Sequence, residues 1–457
     1  MLQYINRLIL FEAFRNDGIA TRIAGLNSFG CIDLCDISCA ELLNDLPAEQ
    51  SEAESREVYY STERALLKNN PGSGEISGNN LQNHFCRVIA GEDNHFARLA
   101  ESGVYKNLSP GMPEIKLKTA LSPMHLSVLL LAAREIKHIS PIYRFSFAAI
   151  TDTRDGRDIA ALPASQAEGR SKLEGIHQAM IQNKSTDAAI MLSHYYHSYG
   201  AGVFGASSAL NAAEGGLVPV PDVDPVTLDD LIGCEKQKSI LMTNMEILLS
   251  GFKANNMLLY GDSGTGKSST VKALLNHYSS KGLKLISVAR ENLRLLPKVF
   301  EQIADRGLKF IIFIDDLSFD ENEYEYKILK SIVEGRVAPR QQNAVFIVTT
   351  NRKNIVKDLW SDRDGDDVRK RDSMEEKRSL ADRFGITLIY SSPAKQEYLE
   401  IVRGIAAKAG LVMPDDDLAA EALKWEVKHG GRSGRTARQF VDYMTGVKEI
   451  GLEGPIE

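Results

Sequence analysis

Nothing in this sequence constrains the fold more than the run Gly261, Asp262, Ser263, Gly264, Thr265, Gly266, Lys267 and Ser268, followed by Ser269. It fits Gly-x4-Gly-Lys-Ser, a loop that holds phosphate. The apolar stretch Met257 to Tyr260 precedes it and predicts a buried strand. Residues Ser269 to His277 follow and predict a helix. The motif needs this order of strand, glycine-rich turn and helix. Glycines let backbone N–H groups approach an anion without a Cβ in the way, and the helix N-terminus adds partial positive charge. Lys267 is expected to reach the β- and γ-phosphates, and Ser268 to ligate Mg²⁺.

The carboxylates downstream narrow the chemistry. Leu308 to Ile314 is a continuous apolar run, as in a parallel strand covered on both faces. It ends in Asp315 and Asp316, about 50 residues past the loop. Asp315 is the candidate Mg²⁺ ligand at the Walker B position, and Asp316 the group that orients or deprotonates the attacking water. Capping of a strand end by acidic residues is the simpler alternative. A third strand, Ala344 to Thr349, leads to Asn351, which suits the sensor-1 role of orienting water, although asparagine is also a good turn former. Arg383 stands just before a further strand, Ile386 to Tyr390, at the arginine-finger position that faces a neighbouring subunit's nucleotide. A surface pair with Asp382 is its alternative. Arg435 opens an amphipathic helix in the sensor-2 place, where a lid arginine folds over the γ-phosphate; Arg432 and Arg438 are nearby substitutes.

Taken in order, these motifs resemble the AAA+ ATPases. Within them the chain is similar to a bacterial group of predicted ATPases known as domain-of-unknown-function family 815. The residues behind the closer resemblance are Leu231 to Lys238, Asn256 to Ser269, Asp315 to Phe319, Tyr326 to Lys330 with Glu334 and Gly335, Thr350 to Arg352, and Glu376 to Gly385. It covers residues from about 217 to 445. The resemblance implies that Leu231, Ile232 and Gly233 contact adenine. It also implies a homo-oligomer, a ring when ATP is bound, acting on a macromolecular client. Most AAA+ members carry Asp-Glu where this chain has Asp315 and Asp316. The shorter side chain makes slow hydrolysis plausible, because a base about 1 Å out of place costs on the order of a hundredfold in rate. Asp320 and Glu321 are the alternative participants.

Composition bounds the rest. At 457 residues the chain has room for two or three domains, and 43% hydrophobic with 25% charged residues suits a soluble globular protein. A net charge of −7 argues against constitutive, charge-driven nucleic-acid binding. Met1 to Phe11 carries a charge and no small-residue cleavage site, so no secretory signal is expected. The longest apolar stretch, Leu126 to Ala133, is far short of the ~20 residues of a membrane span. Five cysteines suit a reducing cytoplasm. Cys31, Cys35 and Cys39 share a helix face at i, i+4, i+8; a buried small-residue face is the simpler reading, and a metal site would need Cys86 or His84 as well.

The expected architecture is a P-loop αβα sandwich with a five-stranded parallel sheet and a helical lid, preceded by a mainly helical N-terminal domain. The domains are residues 1–200, a Gly/Pro/Ala-rich linker 201–226, the nucleotide-binding core 227–391 and the lid 392–457. In the first domain helical patterns cover Leu2–Phe14, Ser38–Leu46, Leu81–Ser102, Ser122–Ile139 and Lys172–Gln182. His194 to Tyr199 suggests packing before it suggests base stacking or a metal pair. Residues 361–373 are densely charged and predict an exposed insertion. The expected function is Mg²⁺-ATP hydrolysis that remodels or loads a partner. A nucleotide-dependent switch with little turnover, or a nucleic-acid loader similar to replication initiators, are the alternatives.

Overall fold

In a computed structural model, residues 10–12, 88–143, 164–221, 223–317, 342–351 and 384–449 are described. The chain divides into two compact units. One comprises Met1–Ala206, Ser280–Gly282 and Asp305–Leu308; the other comprises Ser207–Ser279, Leu283–Ala304 and Lys309–Glu457.

The first unit, where described, is built from helices: α1 (His95–Glu101), α2 (Glu114–Ala120), α3 (Pro123–Tyr143), α4 (Ala164–Ile181) and α5 (Ser185–Tyr199). The single helix expected over Leu81–Ser102 is interrupted: Asn94 caps a fresh start by accepting from the Ala97 N–H at 2.9 Å. Phe96, Ile136, Met180, Leu192 and Tyr196 are buried in one core. The aromatic run at the end of α5 is part of that packing. Tyr196 is fully buried and donates to the Ile89 carbonyl at 2.6 Å, and His197 Nδ1 lies 3.0 Å from the Glu101 carbonyl. Arg306 is also buried here, in a fork with both carboxylate oxygens of Asp93 at 2.7 and 3.1 Å and over the Phe204 ring. The cysteines at 31, 35, 39 and 86 lie outside the described residues, as do His84, the two most N-terminal helical patterns (except that the first touches residues 10–12) and the charged run 361–373.

Among its described residues the second unit carries a sheet of seven strands, where five were expected. Strands β1 (Ala209–Ala213), β2 (Gly216–Pro219), β3 (Met257–Gly261), β4 (Leu283–Ser287), β5 (Lys309–Ile314), β6 (Ala344–Thr350) and β7 (Ile386–Tyr390) lie in the order β2-β1-β4-β5-β6-β3-β7. The five strands β3 to β7 are parallel, four of them read from the sequence and β4 not placed there, and the phosphate-loop strand β3 sits between β6 and β7. The two extra strands come from residues assigned to the linker. β1 and β2 form an antiparallel hairpin, and β1 runs parallel to β4. Alanine and glycine give this segment little strand signal of its own. It becomes a strand because its backbone completes the β4 edge, with Leu285 N–H donating to Ser208 O at 2.9 Å. The buried Lys284 side chain reaches the Ser207 carbonyl at 3.1 Å in the same place. Phe310 to Ile314 are all buried, as a strand covered on both faces requires.

Helices α6 (Glu235–Leu249), α7 (Lys267–Tyr278) and α8 (Leu296–Ile303) join these strands. Beyond β7, α9 (Lys395–Lys408), α10 (Asp415–Lys428) and α11 (Gly434–Glu449) form a lid with its own core of Tyr398, Val402, Ala422, Trp425, Phe440 and Val441. Ile232, from the chain before α6, enters that core. A Cβ on Gly404 of α9 would lie 2.0 Å from Ile232 Cδ1, so a larger residue at 404 would require the Ile232 side chain to shift. Beside it Lys408 Nζ donates to Asp230 Oδ1 at 2.6 Å and to the Asp229 carbonyl at 2.9 Å. Partial burial pushes the Asp230 carboxyl up, but hydrogen bonds from Lys408 and Thr227 outweigh it and hold the group at about 2. Among the described residues no helix is long and apolar enough to cross a membrane.

Two outcomes follow. A fragment starting at Ser207 should melt cooperatively, whereas one starting at residue 220 bares the β4 edge and should aggregate or melt lower, as scanning calorimetry would record. The Asp230–Lys408 link, whose acid has a depressed pKa, should stabilise fully above about pH 4 and fade as pH falls toward 2. Replacing Asp230 by asparagine should therefore flatten the acid limb of a stability-against-pH curve.

Candidate functional site

The loop after β3 begins with a contact that admits no side chain. Gly261 has φ +146°, and a Cβ there would sit 1.8 Å from the Tyr390 carbonyl oxygen at the end of β7. Asp262 N–H then donates to that same carbonyl at 3.1 Å. The chain curls through Gly264 and Gly266, both at positive φ, into the first turn of α7. Lys267 is folded back under the curl. Only 6% exposed, its ammonium donates to the Gly261 and Asp262 carbonyls at 2.9 and 2.7 Å. Burial pulls its pKa down, opposed by the nearby charges of Asp316, Asp262 and Asp315. Two carbonyls use two of its three donors, and the third can serve a ligand.

The carboxyl ends of β5 and β6 bring the other polar groups to the loop. Ser268 Oγ donates to Asp315 Oδ1 at 2.6 Å, and Thr349 Oγ1 donates to the same oxygen at 2.5 Å. The Thr349 oxygen in turn accepts the Asp316 N–H at 2.8 Å. Asn351 Nδ2 donates to Asp316 Oδ1 at 2.5 Å, and Asp316 itself has φ +51°. One continuous hydrogen-bonded chain thus runs Ser268, Asp315, Thr349, Asp316, Asn351. Across the opening, Arg435 N–H donates to the Gly264 carbonyl at 3.2 Å, and its Nη1 lies 3.5 Å from Ser263 Oγ. Arg432 is engaged elsewhere, 2.9 Å from Glu426, while Arg438 lines the same opening as Arg435.

These groups surround a cleft of about 650 Å³. Its lining combines polar groups from Ser263 to Ser269, Asp315, Asp316, Asn351 and Arg435 with Leu231, Ile232, Gly233, and Ile401 and Ile405 of α9. A ligand with a flat apolar part and a charged tail suits such a lining. Gly261 and Asp262 begin the loop but do not line the cleft: their carbonyls are taken by Lys267, and the Asp262 N–H and carboxylate by Tyr390 and Ser392. Arg383, Asp320 and Glu321 lie outside the described residues. Among those described, no group of three or more His, Cys, Asp or Glu side chains forms a metal cage. A hydroxyl and one carboxylate 2.6 Å apart are instead the donors that fit Mg²⁺, a hard cation that keeps waters and shares phosphate oxygens.

Sequence reasoning missed Thr349, read only as the end of a strand. Its buried hydroxyl holds the Asp315 carboxylate and the Asp316 backbone N–H at once. The signal was faint but present: a threonine on a fully buried strand, opposite the Asp-Asp pair, needs hydrogen-bond partners. Replacing Thr349 by valine keeps the shape and removes the bridge. It should cost about 1–3 kcal/mol in denaturant unfolding, since the Asp316 N–H loses its acceptor, while serine should restore most of it.

Comparison with known proteins follows from this geometry. The chain has no match among curated proteins. Among solved structures it is similar to the Thermotoga maritima RuvB Holliday junction branch migration motor, at 21% identity over 50% of this chain and 67% of that one, with a TM-score of 0.35. It is also similar to Aeropyrum pernix ORC1 in complex with DNA, at 20% identity over 50% of this chain and 62% of that one, with a TM-score of 0.36. The family described as "Protein of unknown function (DUF815)" matches residues 205–448, more than half of the chain and all of the cleft. The chain belongs to that family.

Proposed function

We propose that the chain binds Mg²⁺-ATP in this cleft and hydrolyses it as an AAA+ ATPase. The observation that carries the reading is the Ser268–Asp315–Thr349–Asp316–Asn351 chain set against the loop that curls over Lys267. Adenine lies against Leu231, Ile232 and Gly233, and the phosphates lie on the N–H groups at the start of α7. Lys267 supplies charge to the β- and γ-phosphates. Ser268 and Asp315 hold Mg²⁺, which when bound neutralises charge developing on the phosphoryl oxygens. Asp316, steered by Asn351, orients the attacking water and accepts its proton. Arg435, from the lid, adds positive charge at the far side of the γ-phosphate. The chemistry is positioning and electrostatics, which suits a site whose polar side chains fix one another.

A second reading has its own observation. Asp316 is short, and its carboxylate is already engaged by Asn351 at 2.5 Å. Such a base favours slow turnover, and the protein then works as a nucleotide-dependent switch. The expected oligomer, its macromolecular client and a cytoplasmic location belong to the same proposal. An Arg383 finger acting in trans would make the oligomer essential to hydrolysis.

Lys267→Ala should lower ATP affinity by at least tenfold in a correctly folded protein; unchanged affinity by calorimetry would exclude the site. Steady-state phosphate release by the native chain, abolished by Asp315→Ala, separates the ATPase from the switch, which releases little phosphate in either form. Arg383→Ala and Asp316→Asn should each bind ATP and fail to hydrolyse it. Mixing them should restore part of the activity, because a finger from one mutant completes the pocket of the other. No recovery between mutants that exchange subunits would assign Arg383 a structural role instead.

A further inference from the structure

An acidic side chain is an odd occupant of a loop built to receive anions. Asp262 carries one at the second position of the Gly261–Ser268 loop. Its charge opposes a phosphate unless the carboxylate is turned away and committed to other donors. The structure commits it. Asp262 Oδ2 accepts from both the N–H and the hydroxyl of Ser392, at 3.1 and 2.7 Å. Ser392 lies in the four-residue passage 391–394 between β7 and the first lid helix, α9. The main chain of Asp262 grips the other side of that passage, its N–H donating to Tyr390 O at 3.1 Å. One loop residue therefore holds the lid's hinge at two points.

The same residue is also bound to the phosphate-sensing group. The Asp262 carbonyl accepts from Lys267 Nζ at 2.7 Å and from Thr265 Oγ1 at 2.8 Å. A phosphate that engages the third donor of Lys267 draws the ammonium toward itself and loosens its bond to this carbonyl. The peptide so released belongs to the residue whose side chain holds Ser392. We propose that Asp262 is a positioning residue that clasps the phosphate loop to the hinge, so that filling the loop is transmitted to the lid. The proposal rests on the nucleotide reading and names the connection through which that site governs α9. The other described ties between lid and core, Lys408 to Asp229 and Asp230, Ile232 in the Gly404 notch, and Arg435 to Gly264, bypass the hinge. A coupling free energy requires an element whose state the ligand biases, and here that element is the passage 391–394.

Hydrogen–deuterium exchange on the full chain tests this, with Mg²⁺-ATP and Mg²⁺-ADP as probes. In the native protein either nucleotide should slow exchange in peptides covering 261–270 and in those covering 391–408. In Asp262→Ala the loop should still respond, while the response over 391–408 falls by about fivefold or more. Asp262→Asn keeps an acceptor at the same place and should restore the lid response. Ser392→Ala keeps the N–H donor, loses the hydroxyl and should fall between. A loss of loop packing alone would not separate the alanine from the asparagine variant in this way. A native-like lid response in Asp262→Ala overturns the proposal. Should the native chain bind neither nucleotide, the ATP reading fails by itself. The clasp then stands or falls on nucleotide-free exchange over 391–394, which should be about tenfold faster in Asp262→Ala than in the native chain; exchange at the native rate in that variant and in Ser392→Ala overturns it.

Discussion

A lysine ammonium buried to 6% exposure is the constraint around which the site is organised. Such a charge is stable only if carbonyls or carboxylates surround it, and Lys267 has both. Two loop carbonyls bind it directly, and three aspartates act on it through space. The loop must curl tightly to present those carbonyls, which forces positive φ at Gly264 and Gly266 and brings Gly261 against the end of β7. The strand order follows the same logic. With β3 between β6 and β7, the loop meets Thr349 and Asn351 from one neighbour and Tyr390 from the other.

Much of this was legible in the residues, for physical reasons that differ from place to place. The buried strands announced themselves because apolar runs such as Phe310 to Ile314 have no alternative to a covered sheet. The loop did so because few sequences place glycine, lysine and serine at those intervals between a strand and a helix. The hairpin β1–β2 escaped because its partner, not its composition, makes it a strand. Alanine-rich residues 209–213 resemble linker until β4 offers an open edge. Thr349 escaped for a related reason: its role depends on the register between β5 and β6, which pairs Ile314 with Val348 and so sets the hydroxyl beside Asp315. The sequence put Arg435 first and left Arg432 as a substitute; what it could not show is that Arg432 pairs with Glu426 while Arg435 meets Gly264 and Ser263.

The lid illustrates how a small domain can be attached without a large interface. Its own core is modest, and its links to the rest of the unit differ in kind: an apolar plug at Ile232, an ionic pair at Lys408, and backbone and side-chain hydrogen bonds at Gly264 and Asp262. Exposed ionic and polar links of this sort are individually weak, worth up to about 1 kcal/mol for an ion pair. Attachment by several weak, chemically unlike links permits one to yield while the others hold. Under the proposed function, a lid that admits a ligand and then closes over it would need that property more than strength.

The left-handed backbone at Asp316 bears on why this position carries an aspartate. In that conformation any Cβ crowds the carbonyl at roughly 1–2 kcal/mol, and a short polar side chain that bonds locally tolerates it better than a long one. Main-chain geometry therefore favours aspartate here, beside any use the proposed function makes of its carboxylate. Glutamate would gain a methylene of reach and lose conformational ease. Replacing Asp316 by glutamate is thus a change in backbone ease as much as in the reach of the carboxylate.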